Sequence, residues 1–369
     1  MIYLDNGATS FHKPPQVYRA VQRAMRLCAN PGRGGYGAAM EAARQVYRTR
    51  EAAGKLFRCL PEQVVFTSNC THGLNIAIRS LVKPGDRVVI SGFEHNAVTR
   101  PLHALGAEIM VAGRKLFDWE DALSQWETAL KLRPKAAVFT HVSNVFGYIL
   151  PVTEMAALCR KYGVPFIIDA AQSAGVLPVE LDVLGANFIA MPGHKGLLGP
   201  QGTGILLCRE MAEPLMQGGT GSESEKQAMP EYLPDRLEPG TLNVPGIAGL
   251  GAGILYVLQT GTDTFFRREH TQLEKVVAGL ENLGMQVFHG PHQAGTVSFL
   301  PGMDCEEAAE SLARQGIAVR AGLHCAPLAH ESGGTLATGT VRISFGMDAN
   351  PGQTEVLLRA ASKLESWNV

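Results

Sequence analysis

The amino-acid sequence predicts a two-domain α/β protein whose larger part is built on a mostly parallel sheet. From residue 62 to about residue 207, short β-branched runs alternate with amphipathic stretches, which is typical of βα units packed on such a sheet. The texture then changes to helices and short strands that indicate a smaller α+β domain. The chain has 369 residues, which suits two domains at ~150 residues each.

The elements of the first part follow from its periodicity. Apolar runs predict strands at 64–67, 88–91, 109–112, 136–140, 165–169, 188–191 and 204–207. Helical apolar spacing covers 73–82, 119–132 and 154–162. The segment 218–240 is rich in Gly, Ser, Glu and Pro and lacks periodicity, so it predicts a surface loop.

The second part begins with an uncharged run over 240–262. Its length raises the question of a membrane helix, but its six glycines, Asn243, Pro245 and Gln259 favour a turn followed by a buried helix. Beyond it we predict helices at 265–283, 305–315 and 353–367 and strands at 296–300, 318–320 and 341–345. We place the large domain at 16–254 and the small α+β domain at 255–369, with residues 1–15 packing on the small domain.

Composition and charge exclude several classes of protein. Hydrophobic residues make up 46% and charged residues 18%, a globular composition. Lys and Arg number 33 against 34 Asp and Glu, with no run of like charge, so neither nucleic acid nor an anionic membrane is indicated as a partner. The seven cysteines are scattered without a C-x-x-C pair, and the N-terminus has no basic segment before an apolar one. We therefore expect a cytoplasmic protein that acts on a small molecule.

The strongest local signal joins two predicted strand ends. Asp169 and Gln172 follow one strand, and 26 residues after Asp169 the turn Pro-Gly-His-Lys-Gly contains His194 and Lys195. Ligands of open α/β sheets lie beyond the carboxyl ends of the strands, so these side chains are expected to converge. A lysine that forms a Schiff base and an aspartate that keeps a pyridinium nitrogen protonated are the groups that pyridoxal 5'-phosphate (PLP) requires. The spacing alone fits a surface lysine and a strand-end aspartate equally well.

Two further signals lie at strand ends. Thr71, between a strand and a helix, is placed to bind a phosphate with the following N–H groups, although it also suits a plain helix cap. His95 follows another strand and is placed to lie over a planar cofactor ring, whereas a lone histidine is more often structural.

The C-terminal cluster runs from Arg320 to residue 327. Cys325 lies beside His324 in a loop bounded by Gly and Pro, a setting that can lower a thiol pKa, and the other six cysteines fit inert core positions. Arg342 is suited to hold a substrate carboxylate through two hydrogen bonds.

Two weaker matches are set aside. Residues 32–37 satisfy G-x-G-x-x-G, but no strand precedes them, so a dinucleotide site is rejected. His324, Cys325 and His330 lack a second ligand pair at a suitable spacing, so no metal site is predicted.

Taken together, these segments resemble the class V aminotransferase family of fold-type I PLP-dependent transferases, and more narrowly the group II cysteine desulfurases and selenocysteine lyases. The resemblance covers essentially the whole chain. Matching segments begin with Tyr-Leu-Asp-Asn-Gly-Ala at 3–8 and continue through 69–73, 94–95, 142–144, 169–172, 193–195, 240–241 and 320–327 to Arg342.

The resemblance implies roles residue by residue. Lys195 corresponds to the Schiff-base lysine, Asp169 to the pyridinium partner, Gln172 to the donor to the phenolic oxygen and His95 to the ring-stacking residue. The expected phosphate ligands are Thr71 and His194, with Cys70 also in the cofactor-binding set. The implied substrate ligands are Asn144, Arg342 and Arg320. Gly240 and Thr241 would reach the phosphate of a neighbouring subunit, which implies a homodimer.

Cys325 resembles the group II catalytic cysteine, which takes sulfur as a persulfide. The resemblance therefore implies an L-cysteine desulfurase that passes its sulfur to an acceptor. Pro192 stands where many members have a serine hydroxyl, and Leu323 replaces a histidine near the thiol. These departures keep open a selenocysteine lyase or another class V reaction, such as β-elimination or transamination. A non-catalytic PLP-fold partner in sulfur transfer is the remaining alternative.

Overall fold

A seven-stranded sheet forms the centre of the protein. The computed structural model describes residues 1–32 and 34–364. With strands and helices numbered in chain order, the sheet consists of β2 (Val64–Thr67), β3 (Arg87–Ser91), β4 (Glu108–Ala112), β5 (Ala136–Thr140), β6 (Phe166–Asp169), β7 (Phe188–Pro192) and β8 (Gly204–Cys208). Each of the seven strands predicted for this part is present, with bounds shifted by no more than one residue.

The sheet is mostly parallel, as predicted. Its spatial order is β2-β8-β7-β6-β5-β3-β4, in which β4, β3, β5, β6 and β7 run parallel and β8 is antiparallel to both its neighbours. Strands β5 to β8 are buried at every residue, which explains their continuous apolar sequences. The parallel arrangement brings Ser91, Thr140, Asp169 and Pro192 to one edge of the sheet.

Helices cover both faces of the sheet. Their bounds are α1 (Pro15–Leu27), α2 (Gly37–Phe57), α3 (Cys70–Leu81), α4 (Asn96–Ala104), α5 (Trp119–Lys131), α6 (Val152–Tyr162), α7 (Leu181–Leu184) and α8 (Val244–Thr260). The three helices predicted here correspond to α3, α5 and α6, and the sequence analysis made no prediction for α1, α2, α4 or α7. Helix α4 contains Pro101, which obscures its helical pattern.

The uncharged run over 240–262 is a turn followed by buried helix α8, as predicted. Asn243 caps the helix by accepting a hydrogen bond from the N–H of Gly246. Glycines allow close packing against α2, since a Cβ at Gly251 would lie 2.4 Å from Thr49 Oγ1. Among the described residues, no single helix is long and apolar enough to cross a membrane; α8 and the helix after it pass together by length and composition but bend by 80° between them.

The C-terminal part is a four-stranded antiparallel sheet with helices. Its helices are α9 (Thr262–Asn282), α10 (Cys305–Arg314), α11 (Pro327–Ser332) and α12 (Pro351–Ala361), and its strands are β9 (Gln286–Phe288), β10 (Thr296–Leu300), β11 (Ile317–Ala318), β12 (Arg320–Gly322) and β13 (Thr340–Ser344). The sheet order is β12-β13-β10-β9. The predicted end of the last helix at residue 367 lies outside the described residues.

The predicted strand at 318–320 is wrong in one respect, because the chain divides there between two sheets. β11 pairs in parallel with β1 (Ile2–Tyr3), whereas β12 pairs with β13. The N-terminal segment continues to Asp5, which bridges Ser344 at the end of β13. These pairings attach the start of the chain to its last third. The domain boundaries at 16–254 and 255–369 stay a prediction.

Candidate active site

Asp169 ends β6 in the middle of the sheet and is buried. Its Oδ1 accepts hydrogen bonds from the N–H of Ala171 at 2.9 Å and from the Cys70 thiol at 3.4 Å. Its Oδ2 has no partner in the part of the chain that the structure describes. A carboxylate that is fixed through one oxygen and free at the other is suited to hold a protonated ring nitrogen.

Lys195 lies in the turn after β7 and faces a cavity that Gln172, Asn6 and Ser10 also line. Burial lowers the pKa of Lys195 to about 8, the charge of Arg342 lowers it further, and Asp169 opposes both effects. A substantial fraction of this lysine is therefore an uncharged amine near neutral pH, which is the form that reacts with an aldehyde or removes a proton. Gln172 is held nearby because its Nε2 donates to the carbonyl of Gly7 at 3.0 Å.

His95 is fixed as the N-terminal cap of α4. Its Nδ1 accepts a hydrogen bond from the N–H of Ala97 at 3.0 Å, so the proton of the neutral ring is on Nε2. Burial lowers the pKa of His95, and Lys195 lowers it further against the effect of Asp169. The ring is therefore neutral at pH 7 and carries a single N–H donor away from the helix.

The N-terminus of α3 provides an anion site. Asn69 caps this helix by accepting from the N–H of His72 at 2.9 Å, so the alternative that Thr71 is a plain cap is wrong. Within residues 1–32 and 34–364, the N–H groups of Cys70 and Thr71 have no acceptor. Free N–H groups in a first helical turn are suited to a phosphate.

His194 precedes Lys195 and contacts the N-terminal segment. Its Nδ1 lies 3.0 Å from Thr9 Oγ1, and burial together with Lys195 lowers its pKa to about 4. This histidine is neutral at physiological pH and acts toward an anion through hydrogen bonding. Its role as a phosphate ligand stays a prediction.

A second anion site surrounds Arg342 in β13. This side chain is 2% exposed, donates from Nη2 to Asp5 Oδ1 at 2.7 Å and donates from Nη1 to the carbonyl of Asn144 at 2.9 Å. Its Nε is buried and lacks a partner among the described residues. A buried guanidinium with an unused donor is suited to a substrate carboxylate.

Asp5 joins two of the predicted substrate ligands. One of its oxygens accepts from Arg342, and the other accepts from Nε and Nη2 of Arg320 at 3.0 and 2.9 Å. Sequence reasoning gave Asp5 no role, because its partners lie more than 300 residues away. The side chain of Arg320 is half exposed, and its contact with substrate stays a prediction.

Cys325 is the one exposed cysteine of seven, and all seven lie within the described residues. His324 and Cys325 both adopt left-handed backbone conformations, with φ of 52° and 55°. Two hydrogen bonds hold this turn, from the Asn144 side chain to the carbonyl of His324 and from the Asn96 N–H to the carbonyl of Cys325, each at 2.8 Å. The strained turn therefore presents the thiol beside His95 and Arg342.

His324 does not supply the positive charge that sequence analysis considered for the thiol. Burial, with a further contribution from Arg342, lowers the pKa of His324 to about 3. Its Nδ1 instead lies 3.4 Å from His330 Nε2, and His330 Nδ1 lies 2.7 Å from Thr335 Oγ1. These neutral histidines support the loop from beneath.

Thr241 is the site residue that a single chain does not bring to Lys195. It lines a groove with Tyr47 and Arg50 and a smaller cavity with Ser68 and His72. Its contact with a neighbouring subunit stays a prediction. No group of three His, Cys, Asp or Glu side chains arranged for a metal occurs within residues 1–32 and 34–364.

The fold and site together define a class of protein. A lysine after one strand, a carboxylate with a free oxygen at the end of the next, a neutral histidine and a helix N-terminus match the aldehyde, ring nitrogen, ring face and phosphate of PLP. The residues present therefore fit this cofactor on a mostly parallel sheet. This is the arrangement of a fold-type I PLP-dependent enzyme, as predicted.

Comparison with known proteins identifies the family. The profile described as aminotransferase class-V matches residues 2–357, and the chain belongs to this family. PLP is the cofactor of the family and therefore of this chain.

Similar proteins share a name. A probable cysteine desulfurase of Methanothermobacter thermautotrophicus is 33% identical over 91% of this chain and 88% of its own. A probable cysteine desulfurase of Pyrococcus abyssi is 31% identical over 99% of this chain and 94% of its own. The apo structure of the cysteine desulfurase from Thermococcus onnurineus NA1 superposes with a TM-score of 0.90 at 31% identity, covering 98% of this chain and 94% of that one.

Proposed function

We propose that this protein is a PLP-dependent L-cysteine desulfurase that yields alanine and leaves a persulfide on Cys325. The observation that carries the proposal is the Cys325 turn, which presents the one exposed thiol of the chain next to the site of Lys195, His95 and Arg342. The names of the similar proteins support the same reaction.

Substrate binding follows from the charges of the site. Arg342 takes the carboxylate of L-cysteine through its free Nε, and Asp5 and Asn144 hold the guanidinium in place. This placement directs the side chain of the substrate toward Cys325.

Lys195 carries the proton transfers at the α-carbon. PLP, when bound, supplies an electron sink whose ring nitrogen is held protonated by Asp169. With its pKa near 8, Lys195 accepts the α-proton as an amine and donates a proton later as an ammonium.

Cys325 accepts the sulfur. Its thiolate attacks the substrate sulfur, an S–S bond forms, the Cβ–S bond breaks, and the electron pair of that bond stays with carbon. Carbon takes a proton and leaves as alanine, so one thiol and one cysteine yield one persulfide and one alanine. The exposed persulfide then passes its outer sulfur to an acceptor thiol, and we propose a protein acceptor as one such partner.

We also propose a homodimer in the cytoplasm. Exposed apolar side chains on α1 and α2, namely Tyr18, Met25, Leu27, Met40 and Tyr47, support a second copy of the chain as partner. The absence of disulfides among the seven cysteines supports a reducing compartment.

A single-turnover experiment tests the reaction. PLP-loaded protein is mixed with L-cysteine or, in parallel, L-selenocysteine, and alanine and intact protein mass are measured. We expect stoichiometric alanine from L-cysteine and one added sulfur that maps to Cys325. Cys325→Ala should bind PLP but form no alanine from cysteine, whereas Cys28→Ala, at a half-buried cysteine, should behave as the wild type.

The other outcomes point to the alternatives. Alanine from selenocysteine alone would make the protein a selenocysteine lyase, with Leu323 near the thiol as the departure to revert first. Pyruvate in place of alanine would indicate β-elimination, and loss of the PLP absorbance with formation of pyridoxamine phosphate would indicate transamination. Failure to take up PLP would favour a non-catalytic partner protein.

A further inference from the structure

Glu94 is a fully buried carboxylic acid next to His95, outside the set of residues that the proposed reaction uses. It lies between the end of β3 and the start of α4. Its Oε1 accepts hydrogen bonds from the hydroxyl of Ser91 and from the N–H of Thr140, the latter at 2.8 Å. One oxygen atom therefore joins the ends of β3 and β5.

The position of these contacts relates Glu94 to both sides of the cofactor site. Thr140 pairs with Asp169 across β5 and β6, so the Glu94 carboxyl lies one strand away from the partner of the ring nitrogen. On its other side, the chain continues directly into His95 and then into Asn96, whose N–H holds the Cys325 carbonyl. A shift of Glu94 would therefore move the histidine and one tether of the cysteine turn.

The surroundings of Glu94 indicate a neutral acid. No Lys, Arg or His contacts it among the described residues, and its Oε2 is buried without a partner. Burial raises the pKa of Glu94 to about 8, and the charge of Asp169 raises it further against the hydrogen bonds from Ser91 and Thr140. An ionised carboxylate in this place would be an uncompensated buried charge.

We propose that Glu94 is a positioning residue that acts in its neutral form, fixing the 91–96 turn so that His95 and Asp169 face the cofactor in register. The role depends on the shape and the accepting oxygen of the side chain and not on negative charge. Gln has both of these features, Asp has the carboxyl on a shorter side chain, and Ala has neither.

Four variants of the full chain, loaded with PLP, test the proposal: Glu94→Gln, Glu94→Asp, Glu94→Ala and Ser91→Ala. The readouts are the absorbance spectrum of the bound cofactor and its dissociation constant, with alanine formation as a third. We expect Glu94→Gln to keep the wild-type spectrum and affinity. Glu94→Ala should weaken PLP retention about tenfold and shift the spectrum, since two accepted hydrogen bonds are lost. Glu94→Asp and Ser91→Ala should shift both readouts in the same direction by less.

A matched control is available at Glu238, which is buried and ion-paired with Arg50. Glu238→Gln leaves that arginine without its anion and should lower the thermal unfolding midpoint, whereas Glu94→Gln should not. This contrast separates a neutral buried acid from a charged one by the same substitution.

Two results would overturn the proposal. If Glu94→Gln disturbs the spectrum and affinity as much as Glu94→Ala, negative charge is required. If Glu94→Ala, or the milder Ser91→Ala should Glu94→Ala fail to fold, leaves both readouts unchanged, the residue positions nothing. The proposal rests on the proposed function only for alanine formation, and a wild-type protein that binds PLP but forms no alanine would leave the spectral test decisive.

Discussion

Lys195 and Arg342 influence each other within one site, and this coupling matters for the cofactor. The positive charge of Arg342 adds to burial in lowering the pKa of Lys195, whereas Asp169 and Asp5 raise it. The arginine that binds the substrate carboxylate therefore also helps to keep the lysine reactive.

The attachment of PLP to Lys195 should depend on pH with a midpoint near 8. A lowered lysine pKa means that the reactive amine accumulates as the pH rises toward 8 and is complete above it. Stopped-flow absorbance of apoprotein mixed with PLP should show a rate that rises about tenfold per pH unit below 8 and then levels off. In Arg342→Gln the midpoint should move to higher pH. A rate still rising at pH 10 in the wild type would contradict the assignment.

At the scale of elements, the Cys325 turn is held by neighbouring segments and not by its own hydrogen bonds. His324 and Cys325 occupy left-handed conformations that cost free energy for residues with a side chain, and hydrogen bonds from Asn144 and Asn96 offset that cost. The turn is therefore sensitive to the loss of either tether.

Asn144→Ala tests the tether at the side chain. The substitution removes the hydrogen bond to the His324 carbonyl but keeps the backbone carbonyl that Arg342 contacts. We expect the first-turnover rate of alanine formation to fall about tenfold while PLP affinity stays unchanged. Equal losses of rate and of PLP affinity would show that Asn144 supports the whole site and not the turn.

Helix α9 carries a second buried acid, Glu269, at the far side of the cavity that Lys195 lines. Burial raises its pKa to about 8 against the opposing charge of Arg268. The folded state thus favours the protonated acid, so its contribution to stability is complete below the unfolded pKa of about 4.5 and is lost as the pH rises through 8.

Glu269→Gln should reduce this pH dependence. Urea unfolding at pH 5, 6.5 and 8 is expected to show a smaller loss of unfolding free energy with rising pH in the variant than in the wild type. Glu274→Gln, on an exposed position of the same helix, serves as the control and should follow the wild type. Parallel pH curves for Glu269→Gln and the wild type would contradict a raised pKa.

At the scale of the whole molecule, the position of Thr241 away from Lys195 in one chain makes a test of the proposed dimer direct. Lys195→Ala and Thr241→Ala are each expected to be impaired alone. If Thr241 serves the partner's phosphate, subunit exchange between the two variants forms dimers with one intact site, and activity should reappear on mixing. Mixing without recovery, in samples whose exchange is verified by mass, would place Thr241 outside the partner's site.

The sequence by itself determined the central sheet and the pairing of Asp169 with Lys195. Each strand is buried along its length, so its apolar run is a local record of burial. Parallel strands bring their carboxyl ends to one edge, so residues that follow such runs meet without further information. Helices α1, α2 and α4 left no comparably clear local record.

Only the tertiary structure decided the contacts between distant segments. Asp5 bridges Arg320 and Arg342 across more than 300 residues, and the missing partner of Glu94 Oε2 exists only where β3 and β5 meet. His324 illustrates the same limit, because burial keeps neutral a histidine that its neighbourhood in sequence suggested as a cation. Charge state and ion pairing depend on what surrounds a side chain in space, and local periodicity does not encode those surroundings.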